Sequence, residues 1–179
     1  MPHPDGLPEL FLDRSLGRIK VPQMLRAAGL SLITLAEHYG VPADESVADE
    51  VWLQLAGQQG WAVFMKDTRI RYNPAERAAV REHNVRCFCL SSQSLSGERM
   101  AARFLDNLGA IVAACADEGP FIYVVHAHRI ERRPVDDLSI HPLERSRQCL
   151  KWRSLVKTIA RPASFAASIT SWSRIDPPG

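Results

Sequence analysis

The most regular feature of this chain is an alternation of short apolar runs with longer amphipathic stretches. The apolar runs have the length of strands, whereas the stretches between them repeat their apolar positions at helical spacing. The strand-like runs occupy residues 9–13, 30–35, 61–65, 86–90 and 121–125. This alternation predicts an α/β fold in which a mostly parallel sheet is covered by helices on both faces.

The stretches between the runs carry helix start and stop signals. A helix is expected over residues 19–28, and a second begins at a capping-box-like Ser46. Pro74, at the first position of a third helix, is where helices tolerate proline. Residues 97–117 form a long amphipathic pattern that predicts one helix, and residues 37–46 are predicted to form a loop.

The alternation of strands and helices fails after residue 128. We therefore expect a folded domain over residues 8–128 and a basic C-terminal extension over residues 129–179. Within that extension, residues 143–159 have the pattern of a basic amphipathic helix. The pattern leaves open whether the extension forms that one helix or is partly disordered.

Composition excludes several classes of protein. The 179 residues are 46% hydrophobic, which is enough for the core of one α/β domain. No apolar stretch approaches the roughly 18 residues of a membrane-spanning helix, and no signal-peptide pattern is visible, so a cytoplasmic protein is expected. The formal net charge of +2 divides into −1 for residues 1–133 and +3 for residues 134–179.

The cysteines and the paired histidines do not predict a separate site. The cysteine spacing is not that of a secreted disulfide scaffold, so these residues are expected to be apolar core residues. His126 and His128 lie at a strand end without a third ligand at metal-binding spacing, which disfavours a zinc site. The four cysteines are Cys87, Cys89, Cys115 and Cys149.

Acidic side chains recur where predicted strands end. Asp13 ends the first strand, and Asp67 lies just past the strand of residues 61–65. The carboxyl ends of parallel strands share one edge, so these two carboxylates converge if their strands are neighbours. Asp49, in the first turn of the second predicted helix, and Glu37, after the second strand, are expected at the same edge.

Four carboxylates around one crevice repel each other unless a cation is present. Mg²⁺ is the natural partner, because it binds carboxylate oxygens and keeps waters for a phosphate substrate. Such a site activates water against a phosphodiester with no side-chain nucleophile. Three of the four acids also have a structural interpretation: Asp13 as a turn cap, Asp49 as a helix cap, and Glu37 as loop surface.

Four motifs make the chain recognisable: residues 11–17, 48–53, 60–71 and 73–76. In their order and spacing they resemble the PIN-like domains of VapC-type toxins. The closest likeness is to the compact branch, in which a DE-x-W-L motif precedes a strand ending in K-D. The resemblance covers about residues 10–125.

The resemblance implies a PIN-like three-layer fold and an endoribonuclease activity that depends on Mg²⁺ or Mn²⁺. It implies that Asp13, Asp49 and Asp67 are catalytic and bind the metal, with Glu37 as a fourth predicted metal ligand. The first motif departs from the family pattern, because Arg14 stands where related domains usually have glutamate. An arginine beside the first ligand alters the charge of the expected site.

Basic residues near these acids are candidates for binding RNA phosphates, which dominate nucleic-acid affinity. For Arg69 and Arg71 a solvated loop position is an equal alternative, and core packing is the better interpretation of Trp52 and Trp61. The candidate phosphate-binding residues are Arg14, Lys66, Arg69 and Arg71.

The leading hypothesis is an endoribonuclease toxin that acts on RNA and pairs with a cognate antitoxin; a homodimer is left open. The alternative is a catalytically weak PIN-like module that binds RNA or a protein. A phosphoacceptor receiver domain is disfavoured, because residues 121–126 lack the lysine expected at the end of its last strand. No Gly-rich phosphate loop is present, which excludes nucleotide hydrolysis of the P-loop type.

Overall fold

The computed structural model describes residues 2–66, 70 and 73–135, all of which belong to one compact unit within residues 1–137. The predicted helix at residues 143–159 lies outside the described residues. So do several predicted site residues, namely Asp67, Arg69 and Arg71. The division of the chain after residue 128 stays a prediction.

The described residues form six strands: β1 (Leu10–Leu12), β2 (Leu32–Thr34), β3 (Ala62–Met65), β4 (Arg86–Leu90), β5 (Phe121–Val125) and β6 (Ile130–Arg133). They make one sheet in the order β2-β1-β3-β4-β5-β6. The first five in chain order run parallel, and β6 pairs antiparallel with β5. The predicted α/β class and its five strands are therefore confirmed.

β6 was not predicted, because three of its four residues are charged and no apolar alternation marks it as a strand. Charged side chains are typical of edge strands, where they discourage pairing with another chain. The sheet of the described residues therefore extends to Arg133, beyond the predicted domain limit at residue 128.

Helices cover both faces of the sheet and enclose two apolar cores. Alternate residues of each strand point to opposite faces, so Leu12 and Phe64 belong to one core while Phe11 and Val63 belong to the other. The first core is covered by α1 (Lys20–Ala27), α5 (Gly97–Asp106) and α6 (Leu108–Cys115). The second is covered by α2 (Leu35–Tyr39), α3 (Asp49–Gln59) and α4 (Pro74–Glu82).

The predicted loop over residues 37–46 is wrong, because α2 and a 3-10 turn at Ala43–Glu45 occupy most of it. The overlooked signal is a capping box. The Thr34 hydroxyl accepts a hydrogen bond from the Glu37 amide, and the Glu37 carboxylate accepts one from the Thr34 amide.

The predicted capping box at Ser46 is also wrong. The Ser46 hydroxyl donates to the carbonyl of Ala43, and α3 begins three residues later at Asp49. Its N-cap, Ala48, provides no side-chain hydrogen bond. The first turn of α3 therefore has no side-chain cap from its N-cap residue.

The helix predicted over residues 97–117 is two helices, α5 and α6, which are separated by the buried Asn107. Its side-chain amide nitrogen donates to the backbone carbonyl of Arg103 at 2.8 Å and to that of His126 at 3.0 Å. Asn107, at the break, therefore joins the end of α5 to the segment that follows β5.

Gly57 marks the close approach of α3 and α4. A Cβ atom at this position would lie 2.1 Å from the backbone oxygen of His83. We expect Gly57→Ala to lower the free energy of unfolding by about 1–3 kcal/mol, since a backbone atom cannot yield as a flexible side chain does. Denaturant unfolding measures this change.

The matched control is Gly109→Ala in α6, where an added Cβ meets no atom within 4 Å. We expect that variant to be neutral or more stable by up to about 1 kcal/mol, because alanine is the better helix former. Equal losses in both variants would contradict the close approach.

Candidate active site

Asp13 is the first residue after β1 and lies at the carboxyl edge of the sheet. Its backbone amide donates to the Phe64 carbonyl at 3.0 Å, which ties it to the neighbouring strand β3. Only 6% of the residue is exposed. The first and third strands are neighbours, which meets the condition set for convergence of the acids after them, and Asp13 lies buried where their ends meet.

Ser15 holds the Asp13 carboxylate in place. Its backbone amide, at 3.2 Å, and its hydroxyl both donate to Asp13 Oδ2. The same hydroxyl accepts a hydrogen bond from the Lys66 amide at 2.9 Å. Ser15 therefore joins the residues that follow β1 and β3, a role that sequence reasoning missed.

The signal for Ser15 is the Asp-x-Ser spacing, in which an aspartate caps the turn that follows it. Asp13 does cap the 3-10 turn Arg14–Leu16, so the structural interpretation of this residue is correct. The cap engages Oδ2. Among the described residues Oδ1 receives no hydrogen bond, and Arg14 Nε lies 3.9 Å from it.

Arg14 connects the two acids that the structure describes at this edge. Its guanidinium donates to Asp49 Oδ1 at 2.8 Å, and it also donates to the carbonyls of Glu45 and Val47. Because Asp49 opens α3, the bond from Arg14 ties the start of this helix to the turn that follows β1. Arg14 thus brings Asp13 and Asp49 to one place.

Asp49 uses its two oxygens unequally, as Asp13 does. Oδ1 accepts from Arg14 and, at 3.0 Å, from the indole nitrogen of Trp52. Oδ2 receives no hydrogen bond within the part of the chain that the structure describes. The side chain is 42% exposed, so Asp49 lies on the open side of the site and Asp13 on the buried side.

The electrostatics of Asp13 reflect its burial. Desolvation raises the pKa of its carboxyl group, the hydrogen bonds from Ser15 lower it, the charge of Asp49 raises it again, and the Arg14 guanidinium lowers it. The pKa stays above its ordinary value on balance, so Ser15 and Arg14 compensate the buried charge only in part.

The donor set fits a hard divalent cation. Asp13 and Asp49 each keep one carboxylate oxygen without a hydrogen bond from the described residues, and oxygen is the ligand that Mg²⁺ prefers. A cation between them would offset both the burial of Asp13 and its repulsion from Asp49. Within the described residues no group of three or more acidic, histidine or cysteine side chains forms a metal cage.

Glu37 lies in α2, where its contacts join α2 to α1. Both of its oxygens accept from the Arg26 guanidinium, at 2.8 and 2.7 Å, and Oε2 also accepts from the Thr34 amide. The hydrogen bond from Arg26 lowers the pKa of the Glu37 carboxyl group. The structure does not place Glu37 in contact with Asp13 or Asp49, and its role as a metal ligand stays a prediction.

The remaining predicted site residues lie close to β3 in sequence. Asp67 lies two positions past Met65, the last residue of β3. Lys66 lies between them, and its backbone oxygen accepts a hydrogen bond from Gln93 at 2.9 Å.

The Arg14 guanidinium is already engaged by Asp49 and two carbonyls, so its predicted contact with RNA would compete with those bonds.

Most residues interpreted as structural are buried in a core or packed against one. Trp52 is 2% exposed and stacks on Phe11, and Trp61 stacks on the same ring. His126 pairs with Glu131 at 3.1 Å.

No helix in the described part of the chain is both long and apolar enough to cross a membrane. Three of the cysteines are buried, as expected: Cys87, Cys89 and Cys115.

Comparison with known proteins identifies similar chains. Residues 8–92 match the family described as "PIN like domain", and this span includes Asp13, Asp49 and Asp67. The chain is also 44% identical over 126 residues to "Putative ribonuclease VapC45" of Mycobacterium tuberculosis. That alignment covers 70% of this chain and 91% of the relative. No solved structure matches the chain.

The raised pKa of Asp13 predicts an unusual stability change. A carboxyl group whose pKa rises on folding destabilises the protein above its unfolded pKa, here 3.8, and fully so above its folded pKa. With a chelator present, we expect Asp13→Asn to raise the free energy of unfolding at pH 7 by about 1 kcal/mol. The gain shrinks as the pH falls toward 3.8.

Thermal unfolding at several pH values measures this gain. Asp5→Asn is the control, because Asp5 is exposed and should give no change at any of them. A loss of stability in Asp13→Asn at pH 7 would contradict the proposed charge imbalance.

Proposed function

This chain belongs to the PIN-like, VapC-type family of ribonucleases, and from that premise we propose that it is a metal-dependent endoribonuclease. Its proposed substrate is RNA, and the proposed ion is Mg²⁺ or Mn²⁺. The proposed ligands are Asp13, Asp49 and Asp67. The single observation that carries the proposal is the buried, partly compensated carboxylate of Asp13 beside Asp49 at the carboxyl edge of the sheet.

The chain's own residues prepare this site. Ser15 fixes the Asp13 carboxylate through Oδ2 and so leaves Oδ1 for a ligand. Arg14 and Trp52 fix Asp49 through Oδ1 and leave Oδ2. A divalent ion held there supplies positive charge to an attacking water and to the phosphodiester oxygens.

Arg14 takes the place of the glutamate usual in related domains and has a distinct role in this proposal. Its guanidinium orients Asp49 and lowers the repulsion between the two acids. We propose that it acts as a positioning residue, and that Lys66, Arg69 and Arg71 contact the substrate phosphates. Glu37, the fourth predicted ligand, would have to release the Arg26 guanidinium to bind the ion, because both of its oxygens accept from Arg26.

We further propose that the chain is the toxin of a toxin–antitoxin pair. Membership of the VapC-type family supports this, since such chains resemble toxins that are held silent by a protein partner. The partner we expect is a small DNA-binding protein encoded beside this chain.

A second function, an RNA- or protein-binding module with weak or no catalysis, is favoured by one observation. Arg14 already neutralises Asp49 without a metal, at 2.8 Å. In that case the guanidinium would serve as the permanent counter-ion of the site. The response of the protein to Mg²⁺ separates the two functions.

Cleavage of RNA in Mg²⁺ tests the proposed ligands. We expect Asp13→Asn and Asp67→Asn each to lower the rate at least about 100-fold, because even indirect supports of metal ligands cost 10–100-fold. The matched control is Glu50→Gln, which removes an acid beside Asp49 and should keep the rate. The proposed endoribonuclease activity would be refuted if Asp67→Asn cleaved RNA at the unchanged rate. It would also be refuted if the wild type cleaved no RNA in any pool tested.

Thermal unfolding with and without Mg²⁺ tests the metal itself. A ligand that binds only the folded state stabilises it by RT ln(1 + [L]/Kd), about 2.7 kcal/mol at a hundredfold excess over Kd. We expect that rise for the wild type and not for Asp13→Asn. A wild type that does not respond to Mg²⁺, with RNA binding unaffected by chelator, would favour the binding module.

A further inference from the structure

A second feature lies farther along the same edge of the sheet, outside the proposed metal site. An open groove of about 420 Å³ runs between one face of α5 and the segment that follows β5. Its basic side chains are Arg99, Arg103 and His128, and its single acid is Asp106. The lining is therefore positively charged at neutral pH.

The groove lies on the side where the parallel strands end. Arg103 donates to the hydroxyl of Ser91, the residue directly after β4, at 2.9 Å. Asn107, directly after α5, bonds the backbone of His126, which directly follows β5. Asp13 directly follows β1, so both features occupy the carboxyl edge.

The spacing of the two features suits a continuous polymer. From β1 to β5 the sheet order runs through β3 and β4, which is three strand spacings. At about 4.8 Å a spacing, the separation along the edge is about 14 Å. The Gln93 side chain, which donates to the backbone oxygen of Lys66, connects the segments that follow β4 and β3 on the way.

The arginines of the groove are available for a ligand. Arg99 is exposed, and neither it nor Arg103 has an ion-pair partner among the residues that the structure describes. Most other arginines of the described chain are held by carboxylates or carbonyls, as Arg14 and Arg18 are. A guanidinium fork matches two oxygens of a phosphate, which makes an unpaired arginine in a groove suited to that anion.

We propose that this groove binds a backbone phosphate of single-stranded RNA, a few nucleotides away from the bond at the metal site. Arg99 and Arg103 are the phosphate-binding residues, and His128 lines the opposite wall. The inference rests on the proposed ribonuclease function and adds to it a second contact for the substrate. RNA is favoured over an acidic protein partner because the groove is open and continues the edge that bears the carboxylates.

The test is binding of a labelled single-stranded RNA to the full chain in the presence of a chelator. We expect Arg99→Gln combined with Arg103→Gln to weaken binding roughly 10-fold. The slope of log affinity against log salt should become shallower by about 0.7, the contribution of one single-strand phosphate contact. The control is Arg132→Gln, which should leave RNA binding unchanged. Arg132 is exposed outside the groove and pairs with Asp117, which precedes β5 in the chain.

A second pair of variants avoids removing the Arg103–Ser91 hydrogen bond. Ala102 is exposed in the groove, so Ala102→Glu adds a negative charge there and Ala102→Gln adds the same bulk without it. We expect the glutamate variant alone to lose RNA affinity. Equal affinity in the two Ala102 variants, or binding of the double arginine variant as tight as the wild type, would overturn the proposal. The proposal would also be overturned if the groove variants bound RNA normally and lost affinity only for an acidic protein.

The outcomes separate this inference from the proposed function. If the wild type cleaves RNA and the groove variants bind it normally, the ribonuclease stands and the groove proposal fails. If the wild type cleaves no RNA and the groove variants still lose RNA affinity, the groove proposal stands and the catalytic proposal fails.

Discussion

The structure around the candidate site depends on keeping one carboxylate, that of Asp13, out of water. A buried charge is costly unless hydrogen bonds or an opposite charge compensate it. Ser15 and Arg14 provide that compensation in part, and each also makes a contact elsewhere that shapes the edge of the sheet. The raised pKa of Asp13 shows that the compensation is incomplete. The proposed ion, if bound beside Asp13, would therefore contribute to folding as well as to chemistry.

The parallel sheet explains why separate features converge. Because β1, β3, β4 and β5 all end on one side, the segments that follow them share that side without any long loop. Asp13 and Asp49 lie near the carboxyl end of β1, and the arginine groove lies near the carboxyl end of β5. The apolar cores on the two faces hold the strands in register, so the spacing between the two features is a property of the sheet.

Much of the fold could be predicted from the sequence, because its signals are local. Apolar runs indicated β1 to β5, and Pro74 marked the start of α4. β6 could not be predicted, since its charged residues are strand only through pairing with β5. The break at Asn107 was also missed, because it depends on carbonyls that the chain supplies about twenty residues later.

The same distinction applies to the site. Asp13 was placed correctly at a strand end, whereas Ser15 was missed, because its role depends on where Lys66 returns. That shared hydroxyl has an evolutionary consequence. One side chain fixes both the orientation of the Asp13 carboxylate and the backbone position at Lys66, directly after β3. The Lys66 donor is a backbone amide, which every residue except proline supplies, so the constraint falls on position 15, and a homologue that loses the serine loses both contacts at once.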